Sequence, residues 1–394
     1  MSAAKKMVNS LEKSSWIRQM FEEGARRKKI YGAENVFDFS LGNPNLEPPA
    51  KFKEKLWEMV QNPRPMQHGY MPNAGLPSTR EAVANYLKAE YSLEFTMNDI
   101  LMTCGAGGAL NVIFKAILDP GDKVIFPAPY FVEYGFYVDN HGGVPSPVQT
   151  DGEFLLDLNK IEDAIDENTK AILINSPNNP TGRVYPEAQI KALGDILRQK
   201  SKRLGRTIYL ISDEPYRKLV YDNIKVPSIF SAYENSIVAT SFSKDLSIPG
   251  ERIGYIAVNP NIDSKDVLVA TLVLANRILG FVNAPALMQW IVPELLTESV
   301  DVNIYKRKRN VLAKALLEFG YELSIPEGAF YLFPKCPIPD DVQFVRLLQE
   351  ENILVVPGSG FGGPGYFRIA YCVDDRTIEG SLPGFKKVIE KIRS

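Results

Sequence analysis

The chain has 394 residues, 45% of them hydrophobic and 23% charged, with a formal net charge of −2. That length exceeds one ordinary hydrophobic core, so two domains are expected. The near-neutral charge gives no electrostatic reason to expect nucleic acid or an anionic membrane surface as partner. No apolar run approaches the ~20 residues that cross a bilayer. The start, with Lys5 and Lys6 and no apolar segment behind them, shows no secretory signal, so the cytoplasm is the expected location. Cys104, Cys336 and Cys372 are odd in number and far apart, which fits a reducing compartment and neither a disulfide framework nor a zinc knuckle. With only His68 and His141, a histidine-ligated metal or a Ser-His or Cys-His pair is disfavoured, and no metal is expected.

From about Ser15 to Lys29, Trp16, Ile17, Met20, Phe21 and Ala25 recur near helical spacing and predict an amphipathic helix. A turn-rich piece runs from Leu41 and Gly42 to Pro49. Gly105-Ala106-Gly107-Gly108 opens a helix predicted to reach Leu118. Small residues there let backbone N–H groups approach an anion, and the helix N-terminus adds favourable partial charge. The plainer reading of the same turn is tight packing. Short apolar runs at Lys123–Phe126 and Ala171–Ile174 predict buried strands. Behind the second, Ser176-Pro177-Asn178-Asn179-Pro180-Thr181-Gly182 holds Asn179 before a proline, which favours an extended backbone. Its amide can then donate to a phenolate oxygen, although Asn-Pro and Thr-Gly are also ordinary turn formers. Pro186 to Lys202 reads as a helix with its proline at the start.

A predicted strand at Ile208–Ile211 delivers Ser212-Asp213-Glu214-Pro215-Tyr216. A carboxylate at that place can pair with a protonated ring nitrogen; its commoner use is as a helix cap. Another strand, Ile237–Thr240, delivers Ser241-Phe242-Ser243-Lys244. A lysine among small hydroxyl residues can form an imine, and Arg252, a short loop away, can grip a phosphate. Both demands are met by pyridoxal 5′-phosphate, whose aldehyde forms a Schiff base with lysine. Ile253–Val258 is the next apolar run. Such alternation of strands and helices predicts a doubly wound, mainly parallel α/β sheet, with ligands at the carboxyl ends of its strands. After about Trp290 the pattern changes to a charged helix (Tyr305 to Phe319), apolar runs at Ala329–Phe333, Ile353–Val356 and Phe367–Tyr371, and a final helix from Arg376. The expected division is a large domain of residues 46–290 and a smaller α+β domain of residues 1–45 and 291–394, to which the N-terminal helix returns. A cleft between them would hold substrate.

Taken in order, Gly42, Tyr70 with Gly75, the Gly105 turn, Pro129-Tyr130-Phe131, Asn179-Pro180-Thr181-Gly182, Asp213 with Tyr216, Ser241 with Lys244, Arg252 and Arg368 form a specific set. From about Phe39 to Arg368 the chain resembles the fold-type I pyridoxal-phosphate enzymes, and within them the class I/II aminotransferases of the aspartate aminotransferase superfamily. The resemblance implies a mainly parallel seven-stranded sheet flanked by helices. It makes Lys244 the Schiff-base lysine and proton shuttle, and sets Asp213 on the pyridine nitrogen. Asn179 and Tyr216 would meet the ring oxygen, and Phe131 would stack on the ring. The Gly105 turn, through the Ala106 and Gly107 amides, would hold the phosphate with Ser241 and Arg252, joined by Tyr70 of the partner subunit. Gly42, Asn179 and Arg368 would bind the substrate α-carboxylate. The implied reaction moves the amino group of an α-amino acid to a 2-oxo acid by ping-pong kinetics, with aspartate, alanine or aromatic amino acids as candidate donors and 2-oxoglutarate as acceptor, in a homodimer with shared sites. Arg277 either takes a distal substrate carboxylate or makes a helix-surface or interface ion pair. Cys104 reads as a small core residue rather than a nucleophile. Two alternatives remain: a carbon–sulfur β-lyase using the same lysine, and a non-catalytic sensor domain, which the short segment before Gly42 and the net charge disfavour.

Overall fold

The computed structural model describes residues 3–13 and 16–393. Its strands, numbered in chain order, are β1 Phe37–Asp38, β2 Ile100–Thr103, β3 Lys123–Ala128, β4 Val144–Gln149, β5 Thr169–Asn175, β6 Tyr209–Asp213, β7 Ser236–Ser241, β8 Gly254–Val258, β9 Tyr331–Leu332, β10 Ile353–Leu354, β11 Val356–Pro357 and β12 Phe367–Ala370. Seven of them form the central sheet in the order β2-β8-β7-β6-β5-β3-β4. The pairs β3–β4, β3–β5, β5–β6 and β6–β7 are parallel. β8 runs against both of its neighbours. The β7–β8 connection holds only a single turn of 3-10 helix, Pro249–Glu251, and no crossover helix. It therefore folds back over the strand ends, which keeps Ser241, Lys244 and Arg252 at one end of the sheet.

Side-chain alternation explains the continuous apolar runs. Ile172, Ile174 and Leu210 join one core with Val83, Leu87, Leu193 and Leu197, under the helices Pro77–Tyr91 and Glu187–Leu204. Ala171, Leu173 and Ile211 join the other with Ile113, Phe114 and Leu272, under Gly105–Ile117 and Lys265–Ile278. A strand covered on both faces needs apolar residues at every position. Each fully buried Leu or Ile contributes about 1.5–3 kcal/mol.

A third core lies apart from the sheet. Phe39, Tyr305, Leu316, Phe344, Phe367 and Phe385 belong to it. Around it stand the antiparallel set β11-β12-β9, the parallel pair β1–β10, and the helices Val302–Phe319, Asp341–Glu350 and Asp375–Arg393. The helix Trp16–Tyr31 packs on this core: Met20 is buried in it, and Arg27 donates to Asn352 Oδ1 at 3.0 Å. Of the expected inward residues, Met20 is buried and Ala25 is not. Ala25 is exposed, whereas Gly24 is buried so closely that a Cβ on it would lie 3.0 Å from Leu354. Ser15 and the side chains of Trp16, Ile17 and Phe21 lie outside the described residues. A further helix, Lys5–Lys13, precedes it. Among the described residues no helix is long and apolar enough to cross a membrane.

Candidate active site

Where β5, β6 and β7 end, the chain encloses a cavity of 390 Å³. Gly42, Ala106, Gly107, Phe131, Asn179, Asp213, Tyr216, Ser241, Lys244, Arg252 and Arg368 all line it. Residues scattered over most of the sequence thus meet at one place.

Lys244 follows β7. Its Nζ donates to the Gly42 carbonyl at 2.9 Å and lies 5.5 Å from the centre of the Phe330 ring. Burial pushes its pKa down to about 8; the Cys372 thiol opposes this, and the positive charges of Arg368 and Arg252 add to it. Near neutral pH an appreciable share of this amine is therefore unprotonated and nucleophilic. Asp213 ends β6. Tyr134 Oη donates to its Oδ2 at 2.6 Å, while buried Oδ1 has no hydrogen-bond partner. Burial raises this carboxyl to about 7, against the Tyr134 hydrogen bond, and the neighbouring Glu214 charge adds to the rise. A buried carboxylate oxygen left bare is costly, and Asp213 faces a cavity from which a donor can reach it.

The neighbours of these two residues point away from the site. Glu214 pairs with Arg217 at 3.2 Å and Asp245 with Lys218 at 3.4 Å. Both acids line a separate cavity of 710 Å³. That cavity is the larger of the two, but it contains neither Lys244 nor Asp213, so volume alone would choose the wrong place for the chemistry.

Arg368, on β12, is 2% exposed. Its Nη1 donates to Asn179 Oδ1 at 3.1 Å and its Nη2 to the Ser40 carbonyl at 2.6 Å. Nε is buried and unpartnered. The guanidinium lies 4.8 Å from the Tyr331 ring centre and 4.6 Å from that of Phe361, which fixes its plane. No carboxylate pairs with it among the described residues, so it can receive one from a ligand. Tyr216 Oη and Tyr331 Oη are hydrogen-bonded at 2.8 Å. Gly42 is held to glycine by the same tyrosine: a Cβ there would lie 2.1 Å from Tyr331 Oη.

The Gly105 turn adopts φ +70°, and a Cβ on Gly105 would lie 2.8 Å from Arg252 Nη2. Cys104, at the N-cap of the helix Gly105–Ile117, supplies no side-chain cap. The helix N-terminus is thus open toward the cavity, beside a guanidinium, as an anion site requires. Ser241 Oγ donates to Ser243 Oγ at 3.1 Å. Phe131 meets Tyr134 edge-on at 5.6 Å between ring centres. Cys104 Sγ points to the Asn283 carbonyl at 3.7 Å, and burial raises its thiol pKa, which disfavours a thiolate nucleophile.

Two residues singled out in the sequence stand apart. Tyr70 is 88% exposed and lies outside the cavity. Arg277 is exposed on the helix Lys265–Ile278, also outside it. It has no ion pair among the described residues. Sequence reading also missed Tyr134, Ser243 and Tyr331. Tyr134 had a signal, its place three residues after Phe131. Tyr331 had none, since its contact with Tyr216 spans 115 residues.

An amine near neutrality, a bare carboxylate oxygen, a helix N-terminus beside a guanidinium, and a second, buried guanidinium fit a phosphorylated pyridine aldehyde together with a carboxylate substrate. Relatives agree. Residues 34–382 match the family model described as aminotransferase class I and II. A probable aspartate/prephenate aminotransferase of Aquifex aeolicus is 34% identical over 91% of this chain and 92% of its own. An aspartate aminotransferase of Pyrococcus horikoshii is 30% identical over 96% of each. Among solved structures, an amino transferase of Eubacterium rectale superposes with a TM-score of 0.97 at 40% identity, covering 100% of both chains. The aspartate aminotransferase of Thermus thermophilus with maleate gives 0.87 at 29% identity, over 98% of this chain and 100% of that one. The chain belongs to the class I and II aminotransferases, fold-type I enzymes that use pyridoxal 5′-phosphate to move amino groups between amino acids and 2-oxo acids.

Proposed function

We propose that the donor is a dicarboxylic α-amino acid, aspartate first, with 2-oxoglutarate as acceptor. The dicarboxylate choice is supported by the activity for which the relatives are named; the buried, carboxylate-free Arg368 in the same cavity as Lys244 and Asp213 supports an α-amino acid as donor. When bound, pyridoxal 5′-phosphate supplies an aldehyde carbon for the amino group and a ring that takes up the electrons of the broken C–H bond. Arg368 binds the substrate α-carboxylate, with Asn179 and the Gly42 backbone completing that end. Lys244 Nζ, as a neutral amine, would remove the substrate α-proton and return it to the carbon on the other side of the transferred nitrogen. Asp213 holds a proton at the ring nitrogen through the oxygen that Tyr134 leaves free. Asn179 and Tyr216 would meet the ring oxygen, Phe131 would cover the ring, and Ala106, Gly107, Ser241 and Arg252 would hold the phosphate.

In the same reading the chain is a cytoplasmic homodimer. Tyr70 reaches the phosphate of the neighbouring site, and Arg277 is offered across the interface to the distal carboxylate. Exposure of both residues, outside their own chain's cavity, supports this. The core around Phe39, Tyr305 and Phe385 supports a division into residues 46–290 and residues 1–45 with 291–394, although Phe154, Tyr216, Leu219 and Tyr221 also join it and Ile291 to Leu296 pack with the central sheet.

A donor-by-acceptor panel tests the reading. Aspartate is expected to convert the bound cofactor to its amino form, and 2-oxoglutarate to restore it. Conversion by neutral amino acids alone would overturn the dicarboxylate assignment. Pyruvate and ammonia released from cystathionine without any acceptor would replace transfer by β-elimination.

A further inference from the structure

The first turn of the helix Gly105–Ile117 has no hydroxyl side chain of its own: it reads Gly105, Ala106, Gly107, Gly108. Two side chains close over it. Arg252 stands above Gly105, and Tyr137 above Gly107, where a Cβ would lie 3.1 Å from the tyrosine Oη. The next atom of Tyr137 is 3.8 Å away, so the tyrosine meets the turn with its hydroxyl rather than its ring face. Tyr137 comes from the helix Glu133–Asn140 and lines the same cavity as Lys244. Among the described residues its hydroxyl has no hydrogen-bond partner. Burial pushes its pKa up to about 12, with the Glu133 and Asp213 charges adding and Arg252 opposing. It is therefore a neutral donor throughout the physiological range.

We propose that Tyr137 is a further ligand of the cofactor phosphate, its hydroxyl donating to one phosphate oxygen alongside Arg252. The open N–H groups of the turn attract an anion, and Tyr137 supplies the hydroxyl donor that the turn itself lacks. This rests on the reading that the Gly105 turn is where the phosphate sits.

Cofactor-stripped protein tests it by equilibrium titration, followed through quenching of intrinsic fluorescence. Parent and Tyr137→Phe are each titrated with pyridoxal 5′-phosphate and with pyridoxal, which lacks the phosphate. Loss of one hydrogen bond to a charged group is expected to raise the Kd of the phosphorylated ligand about tenfold or more. The Kd of pyridoxal should not move, and inorganic phosphate should compete less well against the variant. Unchanged pyridoxal binding also reports that the variant is folded. Tyr137→His, which keeps a donor, should recover part of the phosphate preference. An equal shift for both ligands, no shift, or no recovery in Tyr137→His overturns the assignment. A parent protein with no preference for the phosphorylated ligand would sink the phosphate site itself, a separate result.

Discussion

At the scale of residues, Lys244 and Asp213 are displaced toward each other on the pH axis. The lysine falls from 10.5 to about 8 and the aspartic acid rises from 3.8 to about 7. Desolvation is the leading cause for both, because burial penalises whichever form is charged. In the cofactor-free protein this has a signed consequence. Between 3.8 and about 7 the folded state holds a proton at Asp213 that the unfolded chain has released. Stability therefore falls as pH rises through that window, by up to about 1.4 kcal/mol for each pH unit crossed. Lys244 acts in the opposite sense between about 8 and 10.5, where stability rises with pH. Asp213→Asn does not titrate. Its stability relative to the parent should improve steadily from the lower to the upper edge of the acid window and then level off. Urea denaturation of cofactor-free proteins at several pH values measures this; a difference that stays constant across the window would count against it. Lys244, Asp213, Asn179 and Arg252 were legible in the sequence because each follows an apolar strand at short range. Tyr331 was not, since only tertiary packing brings its hydroxyl to Tyr216 and Gly42.

At the scale of elements, β4 shows why a strand escapes notice. Its sequence, Val144-Pro145-Ser146-Pro147-Val148-Gln149, has two prolines and no apolar run. It is an edge strand paired only with β3, and an edge is where a sheet accepts residues that cannot donate on both sides. The N-terminal helix was legible as an element, and Met20 as one of its buried residues; Ala25 is exposed where Gly24 packs instead, a close contact that a glycine does not announce in sequence. A different glycine carries weight in the loop after β5. Gly182 adopts φ +70°, and a Cβ there would lie 2.4 Å from Pro326 Cβ. Its carbonyl accepts from both Glu327 N and Gly328 N at 2.9 Å, tying the Asn179 loop to the segment that leads into β9. Gly182→Ala combines a disfavoured backbone with a clash and is expected to cost about 1–3 kcal/mol or more. A thermal melt reads this as a lower Tm; an unchanged Tm would mean that the loop has room to yield.

At the scale of the whole molecule, the site draws on the central sheet for Asp213 and Lys244 and on the smaller sheet for Arg368, so the two cores of the central sheet and the third core must all form before it exists. The proposed dimer extends this dependence across chains. Lys244→Ala should be inactive, and Tyr70→Phe should hold its cofactor more weakly. If Tyr70 serves the neighbouring site, a refolded mixture of the two variants contains hybrids with one site fully native. Random pairing then restores about a quarter of all sites to tight cofactor binding. A mixture with no tight sites would show that Tyr70 acts within its own chain or not at all. The alternation along β6 and past β7 reaches further. Asp213 faces the chemistry while Glu214 turns back to Arg217, and Lys244 faces it while Asp245 turns back to Lys218. A slip of β6 by one residue would leave a carboxylate at the cavity, yet the wrong one, with Arg217 left to Glu90 as its remaining acidic partner. Two acids adjacent in sequence are told apart by reading frame rather than by charge, so a homologue or a redesign can keep every acidic residue and still fall silent if one residue is inserted ahead of them.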